Sequence, residues 1–140
     1  MLLTHQVETI DTVRKGYLGN PDKRLGFEAF FICADGAPVG YASFFMNPSH
    51  KLSSEQVVWP SIAIGEPLYR RRGLVREMGI EISRRSRKYG ATHFEAGIFD
   101  SNQAMASWLV KYGFSPIGEM LVGPEKIPST HYCRPLFERP

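Results

Sequence analysis

Apolar residues recur along this chain with two different periods. From His5 to Leu18, the residues Val7, Ile10, Val13, Tyr17 and Leu18 fall at helical spacing, and Gly19, Asn20 and Pro21 stop the pattern; this predicts a first helix. Phe27 to Ala34 and Val39 to Met46 are apolar and aromatic runs joined across Asp35-Gly36, a tight-turn pair, and so predict a β-hairpin. A polar loop from Asn47 to Ser54 follows. Val57 to Ile64 reads as a third strand, in which Pro60 marks a bulge or an edge position because proline has no N–H for a ladder. Helical spacing returns from Gly73 through Leu74, Val75, Met78, Ile82 and Tyr89 and ends at Gly90. Thr92 to Phe99 is the next strand, and a strand, helix, strand succession of this length predicts a parallel right-handed crossover. Ser101 or Asn102 can cap another helix with a buried stripe of Met105, Trp108, Leu109 and Tyr112, stopped by Gly113. Phe114 to Val122 and Tyr132 to Phe137 then read as two strands, with Gly123 to Ser129 as a proline-containing loop between them. The succession describes a mixed α+β fold.

Composition changes that picture little. At 140 residues and 43% hydrophobic, the chain reads as a single domain over residues 1–140 with a substantial core. No apolar run approaches the roughly 20 residues a membrane span needs, and the first residues lack the pattern of a signal peptide, which predicts a cytoplasmic protein without membrane contact. Cys33 and Cys133 have no CxxC or cysteine-histidine spacing, so both read as buried thiols rather than metal ligands. The formal charge of +3 is mild, but cations cluster at Arg70 to Arg72 and again at Arg84, Arg85, Arg87 and Lys88. The second cluster also suits the negative end of a helix.

The first cluster carries the candidate chemistry. Ile62, Ala63 and Ile64 lead through Gly65, Glu66 and Pro67 to Tyr69, Arg70, Arg71, Arg72 and Gly73, where a loop enters the first turn of a helix. Free backbone N–H groups, the positive end of the helix dipole and three guanidiniums converge there, which is the chemistry of a polyphosphate site. Pro67 through Val75 resembles the P-x-x-[QR]-x-x-G-x-[GA] acyl-CoA loop of the GNAT N-acetyltransferase superfamily, and Asn102 through Phe114 resembles that family's later helix motif. The resemblance spans Phe27 to Phe137. It implies a twisted mixed sheet of about six strands flanked by about three helices, with the first family strand missing or vestigial. It also implies that Val57 to Ile64 and Thr92 to Phe99 splay apart to admit the pantetheine arm of acetyl-CoA.

In that family reading, Arg70, Arg71, Arg72, Gly73, Leu74 and Val75 bind the pyrophosphate. Ala63, Ile64 and Gly65 pair with the pantetheine amides, and Asn102 supports the same arm. Two positions depart from the pattern. Val75 stands where the loop usually has a small residue, and Leu109 occupies the place of the family's frequent general acid, a tyrosine. Tyr112 and Ser107 are the nearest substitutes, although Tyr112 lies on the stripe assigned to the core. Loss of that acid is tolerable, since a thiolate is a good leaving group, whereas an ammonium with an ordinary pKa near 10.4 must lose a proton before it attacks. Glu55, Glu66 and Glu95 are the acidic candidates for that step, with His50, His93 and His131 behind them; none has a spacing that singles it out, and each has an ordinary reading as a surface or turn residue. The resulting expectation is direct attack aided by positioning and by the backbone N–H groups of Ile64 and Gly65, with the base unassigned.

The acceptor is read as a primary amine of a small molecule, protein or peptide, gathered by the loops Asn47 to Ser54 and Gly123 to Ser129. Two other readings stand beside it. One is a CoA-binding module without catalysis, which Leu109 favours; the other is an acetyltransferase on aminoacylated RNA, which the cations from Arg84 to Lys88 favour and a steep salt dependence would reveal. The short segment before His5 further predicts a homodimer or membership in a larger parent protein.

Overall fold

Alternation of side chains along six strands builds one sheet with a packed face and a hollow one. The computed structural model describes residues 26–34, 36–64 and 74–138, and the helix expected over His5 to Leu18 lies outside them, as does any family strand before it. In chain order the strands are β1 (Glu28–Ala34), β2 (Ala37–Met46), β3 (Val57–Ile64), β4 (His93–Phe99), β5 (Ser115–Val122) and β6 (Ile127–Pro135). Two described helices, α1 (Leu74–Arg87) and α2 (Gln103–Lys111), follow β3 and β4 respectively. The sheet order is β1-β2-β3-β4-β6-β5, with β3 and β4 parallel and every other neighbouring pair antiparallel.

The parallel pair is the exceptional one. β3 and β4 share only Val57↔His93 and Val58↔Phe94 before they part. By contrast, β4 stays in register with β6 from His93↔Pro135 to Phe99↔Ser129. The sheet therefore opens a gap between β3 and β4, on the side of their C-terminal ends.

Pro60 finds its explanation in that gap. Its pairing with Phe44 is regular, with no bulge between β2 and β3, so of the two sequence expectations the edge position holds and the bulge does not. Asn47 N–H donates to Val57 C=O (2.9 Å), which fixes the phase of the β2–β3 ladder. Backbone groups of Trp59, Ser61 and Ala63 consequently turn to β2, while those of Pro60, Ile62 and Ile64 turn toward β4. Proline sits where no strand asks for an N–H.

Apolar residues close the packed face. Phe94 on β4 meets the rings of Phe114 and Phe137 at centroid distances of 6.1 and 5.8 Å, and Ile82 of α1 and Leu109 of α2 complete the same cluster. Ser83 joins α1 to the end of the chain by accepting from Phe137 N–H (3.0 Å) and donating to Gly79 C=O (2.7 Å). Such a side chain bonded on both sides can be buried at little cost.

Two sequence expectations need correcting, and a third feature gains partners. Cys33 is exposed, because β1 is an edge strand and its buried neighbour Ile32 takes the inward position; Cys133 is half-buried, and burial raises its thiol pKa. The loop expected over Gly123 to Ser129 is shorter, since Val122 already pairs with Ile127 and Lys126 N–H closes the turn onto Gly123 C=O (3.1 Å). The cations at the end of α1 are spoken for within the chain. Arg84 and Arg85 both pair with Glu81, Arg85 and Lys88 also reach Glu28 (3.2 and 2.7 Å), and Arg87 donates to Phe137 C=O (2.8 Å). Four cations thus stand against two carboxylates, Glu81 and Glu28, so the cluster keeps a net positive charge, with Lys88 60% exposed.

Candidate active site

A buried carboxylate organises the hollow face. Alternation on β4 places Phe94 and Ile98 on the packed side, and Glu95, Gly97 and Phe99 on the opposite side. Glu95 has no exposed surface, yet its carboxylate is fully partnered. Leu52 N–H and Ser53 N–H donate to its two oxygens (2.7 and 2.9 Å), and the imidazole of His131 on β6 meets Oε2 through Nδ1 at 2.7 Å. Burial pushes the Glu95 pKa up, but the hydrogen bonds from His131, Leu52 and Ser53 outweigh it and hold the carboxyl below its ordinary value. Glu95 is therefore an anion at neutral pH with no oxygen to spare for a substrate proton. Its work is to fix two things at once: the orientation of His131 and the loop between β2 and β3.

An ionised carboxylate only accepts, so Nδ1 of His131 carries a hydrogen, and in the neutral ring it is Nε2 that holds the lone pair. That nitrogen lies against Gly97, where a Cβ would come within 3.1 Å of it and within 3.2 Å of Trp59 Cη2. The absence of a side chain at Gly97 keeps the approach to Nε2 open. Beyond it is a cavity of about 330 Å³. β3 contributes Trp59, the residue after the last β3–β4 pair, and β4 contributes Gly97 and Phe99. Met120, Leu121 and Val122 of β5 form the far wall, and His50, Ser129 and His131 supply the polar atoms. The cavity thus begins where the two parallel strands separate.

Other sequence candidates fall elsewhere. Glu55 is exposed and faces His93 at 3.8 Å, away from the cavity walls. Tyr112 terminates α2, stacks on Trp108 at a centroid distance of 4.3 Å, and lends its carbonyl to Arg134 (2.6 Å). Leu109, at the family's tyrosine position, is buried in the core. Asn102 caps α2 by accepting from Met105 N–H (3.2 Å), which leaves its NH₂ group without a partner among the described residues. Both loops expected to hold the acceptor do reach the cavity, one through His50 and the other through Gly123 and Ser129. His131 was visible in the sequence only as one histidine among four. The signal that singles it out is the β4–β6 register, which sets it opposite Gly97 and diagonal to Glu95.

The gap also fits an extended amide-bearing arm. Beyond Val58 no described strand pairs with the free edge of β3, and the ladder phase turns the backbone of Ile62 and Ile64 into the opening. Ala63, expected to pair with the arm, bonds back to β2, and the neighbouring backbone groups that face the opening are those of Ile62 and Ile64. Ile64 keeps its expected place at the end of β3, and Leu74 and Val75 open α1. Gly65, Glu66 and the arginine-glycine turn from Arg70 to Gly73 lie outside the described residues.

Comparison with known proteins agrees with this geometry. The model of the GNAT acetyltransferase family matches residues 5–114. Among solved structures, yncA of Salmonella typhimurium, determined with its cofactor acetyl-CoA, is similar at 22% identity and a TM-score of 0.63, covering 98% of this chain and 82% of its own. A ribosomal-protein-alanine N-acetyltransferase of Brucella melitensis is similar at 23% identity and a TM-score of 0.65, over 88% of this chain and 76% of that one. A spermidine N-acetyltransferase SpeG chimera from Vibrio cholerae and hSSAT shares 10% identity at a TM-score of 0.63, over 90% and 77% of the two chains. Among curated proteins none matches the sequence. The family match, the six-stranded mixed sheet and the opened parallel pair lead to one conclusion: the chain belongs to the GNAT acetyltransferase family and is an acyl-CoA-dependent N-acetyltransferase whose donor is acetyl-CoA.

Proposed function

We propose that this enzyme acetylates a primary amine of a small molecule held in the cavity beside Trp59, with His131 as the proton acceptor and Glu95 as the residue that positions it. One observation carries the reading: a fully buried Glu95 holds His131 through Nδ1 while Nε2 borders a cavity at the point where β3 and β4 part. Backbone groups of Ile62 and Ile64, with Gly65 after them, are the donors and acceptors for the pantetheine arm. Arg70, Arg71, Arg72 and Gly73 with the start of α1 are those for its pyrophosphate, and the Asn102 NH₂ group, without a partner among the described residues, serves the same arm.

Bound acetyl-CoA would supply an activated acetyl carbonyl: as the amine nitrogen forms the C–N bond and the C–S bond breaks, CoA would leave as the thiolate and take up the second proton that the nitrogen gives up. The chain's contribution is to deliver that amine unprotonated and aligned. An ammonium entering the cavity gives one proton to Nε2 of His131, and the imidazolium so formed is stabilised by the Glu95 carboxylate at 2.7 Å. The backbone N–H groups of Ile64 and Gly65 would donate to the carbonyl oxygen, a contact of the kind that contributes roughly 2.7–4 kcal/mol. The cavity volume favours a small molecule over a folded protein surface.

Thiol release from acetyl-CoA over a panel of amines tests it. Wild type should show amine-dependent release, and His131→Gln should lower kcat by about 10²–10⁴-fold while acetyl-CoA still raises the melting temperature. Cofactor binding with no turnover on any amine would instead favour the CoA-binding module that Leu109 keeps in view.

A further inference from the structure

Lining chemistry narrows the acceptor beyond an amine in general, and this step rests on the acetyl-transfer reading. Five of the residues around the cavity present aromatic or aliphatic surface: Trp59, Phe99, Met120, Leu121 and Val122. No Lys, Arg, Asp or Glu is among the described lining residues. Glu95 lies behind His131 with no exposed surface of its own, so it touches the cavity only through that imidazole. Phe99, Leu121 and Val122 stay 46%, 62% and 37% exposed at the cavity, an apolar surface that a bound molecule would cover. Trp59 has His50 edge-on at 4.6 Å and His131 at 5.4 Å, so its indole is braced by the two imidazoles.

Charged acceptors would fare badly in such a space. An amino acid brings a carboxylate that calls for a guanidinium or a cluster of N–H donors, and a polyamine brings further ammoniums that call for carboxylates. Among the described lining residues neither charge finds such a partner. The volume of about 330 Å³ is that of about eleven water molecules at roughly 30 Å³ each, room for a body of about ten non-hydrogen atoms.

We propose that the acceptor is a primary amine on an uncharged apolar body of arylalkylamine size, its ring against Trp59, Met120 and Leu121 and its nitrogen toward Nε2 of His131. Trp59 and the β5 wall are then the specificity-determining elements.

The test compares 2-phenylethylamine, spermidine, L-glutamate and an alanine-initiated tripeptide with acetyl-CoA present. The expected result is a kcat/KM for 2-phenylethylamine at least about tenfold above each of the others. A reading independent of turnover comes from Trp59 itself. Titrating 2-phenylethylamine into the protein with CoA should quench tryptophan fluorescence, and Trp59→Phe should abolish that response, leaving only Trp108 as the emitting indole. Leu121→Glu, at an exposed position where the fold tolerates change, should lower kcat/KM for 2-phenylethylamine about tenfold and raise it for 1,4-diaminobutane. Turnover of spermidine, glutamate or the tripeptide as fast as the aryl amine overturns the proposal while leaving acetyl transfer intact, and so does titration without a Trp59 response. Quenching without acetylation of any amine supports the apolar site and overturns the transfer reading beneath it.

Discussion

The two faces of β4 do opposite work. On one, Phe94 and Ile98 meet Ile82, Leu109, Phe114 and Phe137 in a closed apolar core. On the other, two residues away at each step, Glu95, Gly97 and Phe99 meet a loop, a histidine and a cavity. The strand is the same and the backbone pattern is the same. What differs is what each face is asked to satisfy: apolar surface needs only close neighbours, while a buried carboxylate needs three donors in fixed places. Rigidity on the packed face is what lets the other face hold a charge and a void side by side.

Substitutions can break that contrast, beginning with the largest effect. Glu95→Ala should cost about 3–5 kcal/mol of stability, since it strands the partners of a buried charge, and should also remove most activity because His131 loses its orientation; denaturant unfolding together with thiol release reads both. An unchanged unfolding midpoint would mean that the carboxylate is no organiser of this face. On the packed side, Leu109→Ala should cost about 2–5 kcal/mol with kcat per folded molecule unchanged, which separates a core residue from the acid that relatives place there. Gly97→Ala should be gentler on stability yet lower kcat/KM by about a hundredfold, as its methyl group would press on Nε2 of His131 and on Trp59.

Acid provides a finer probe. Glu95 in the folded chain titrates below its ordinary value of 4.5, and Glu81 on α1 is brought down to about 2, chiefly by its hydrogen bond with Arg84 against some burial. Each contributes stability that is whole above the ordinary carboxylate range and is lost as pH falls through the folded value. Wild type should therefore lose stability between about pH 5 and pH 2, and Glu95→Gln should flatten part of that slope. Smallest of all is Arg84→Ala on the exposed side of α1, expected to lower the melting temperature only slightly, since water screens this pair and Arg85 still holds Glu81.

Most of the element order was legible along the chain. Val57 to Ile64 was bounded to the residue, and the hairpin, the helix after Gly73 and the crossover to β4 followed from apolar spacing and from glycine stops. Reading failed where spacing carries no information. His131 and Glu95 are far apart in sequence and became neighbours only through the β4–β6 register, so the sequence could rank neither above Glu55 or Tyr112. Arg85 and Lys88 looked unpartnered because Glu28, which meets both, stands on β1, far away in the sequence.

By itself, then, the sequence determined the family, the donor and the succession of strands and helices, because those depend on local pattern and on two contiguous motifs. Tertiary structure alone decided which titratable groups meet, which of them lose contact with water, and where β3 leaves β4. Those outcomes turn on contacts between residues distant in the chain, and the free energy of a charge depends on its surroundings rather than on its neighbours in sequence.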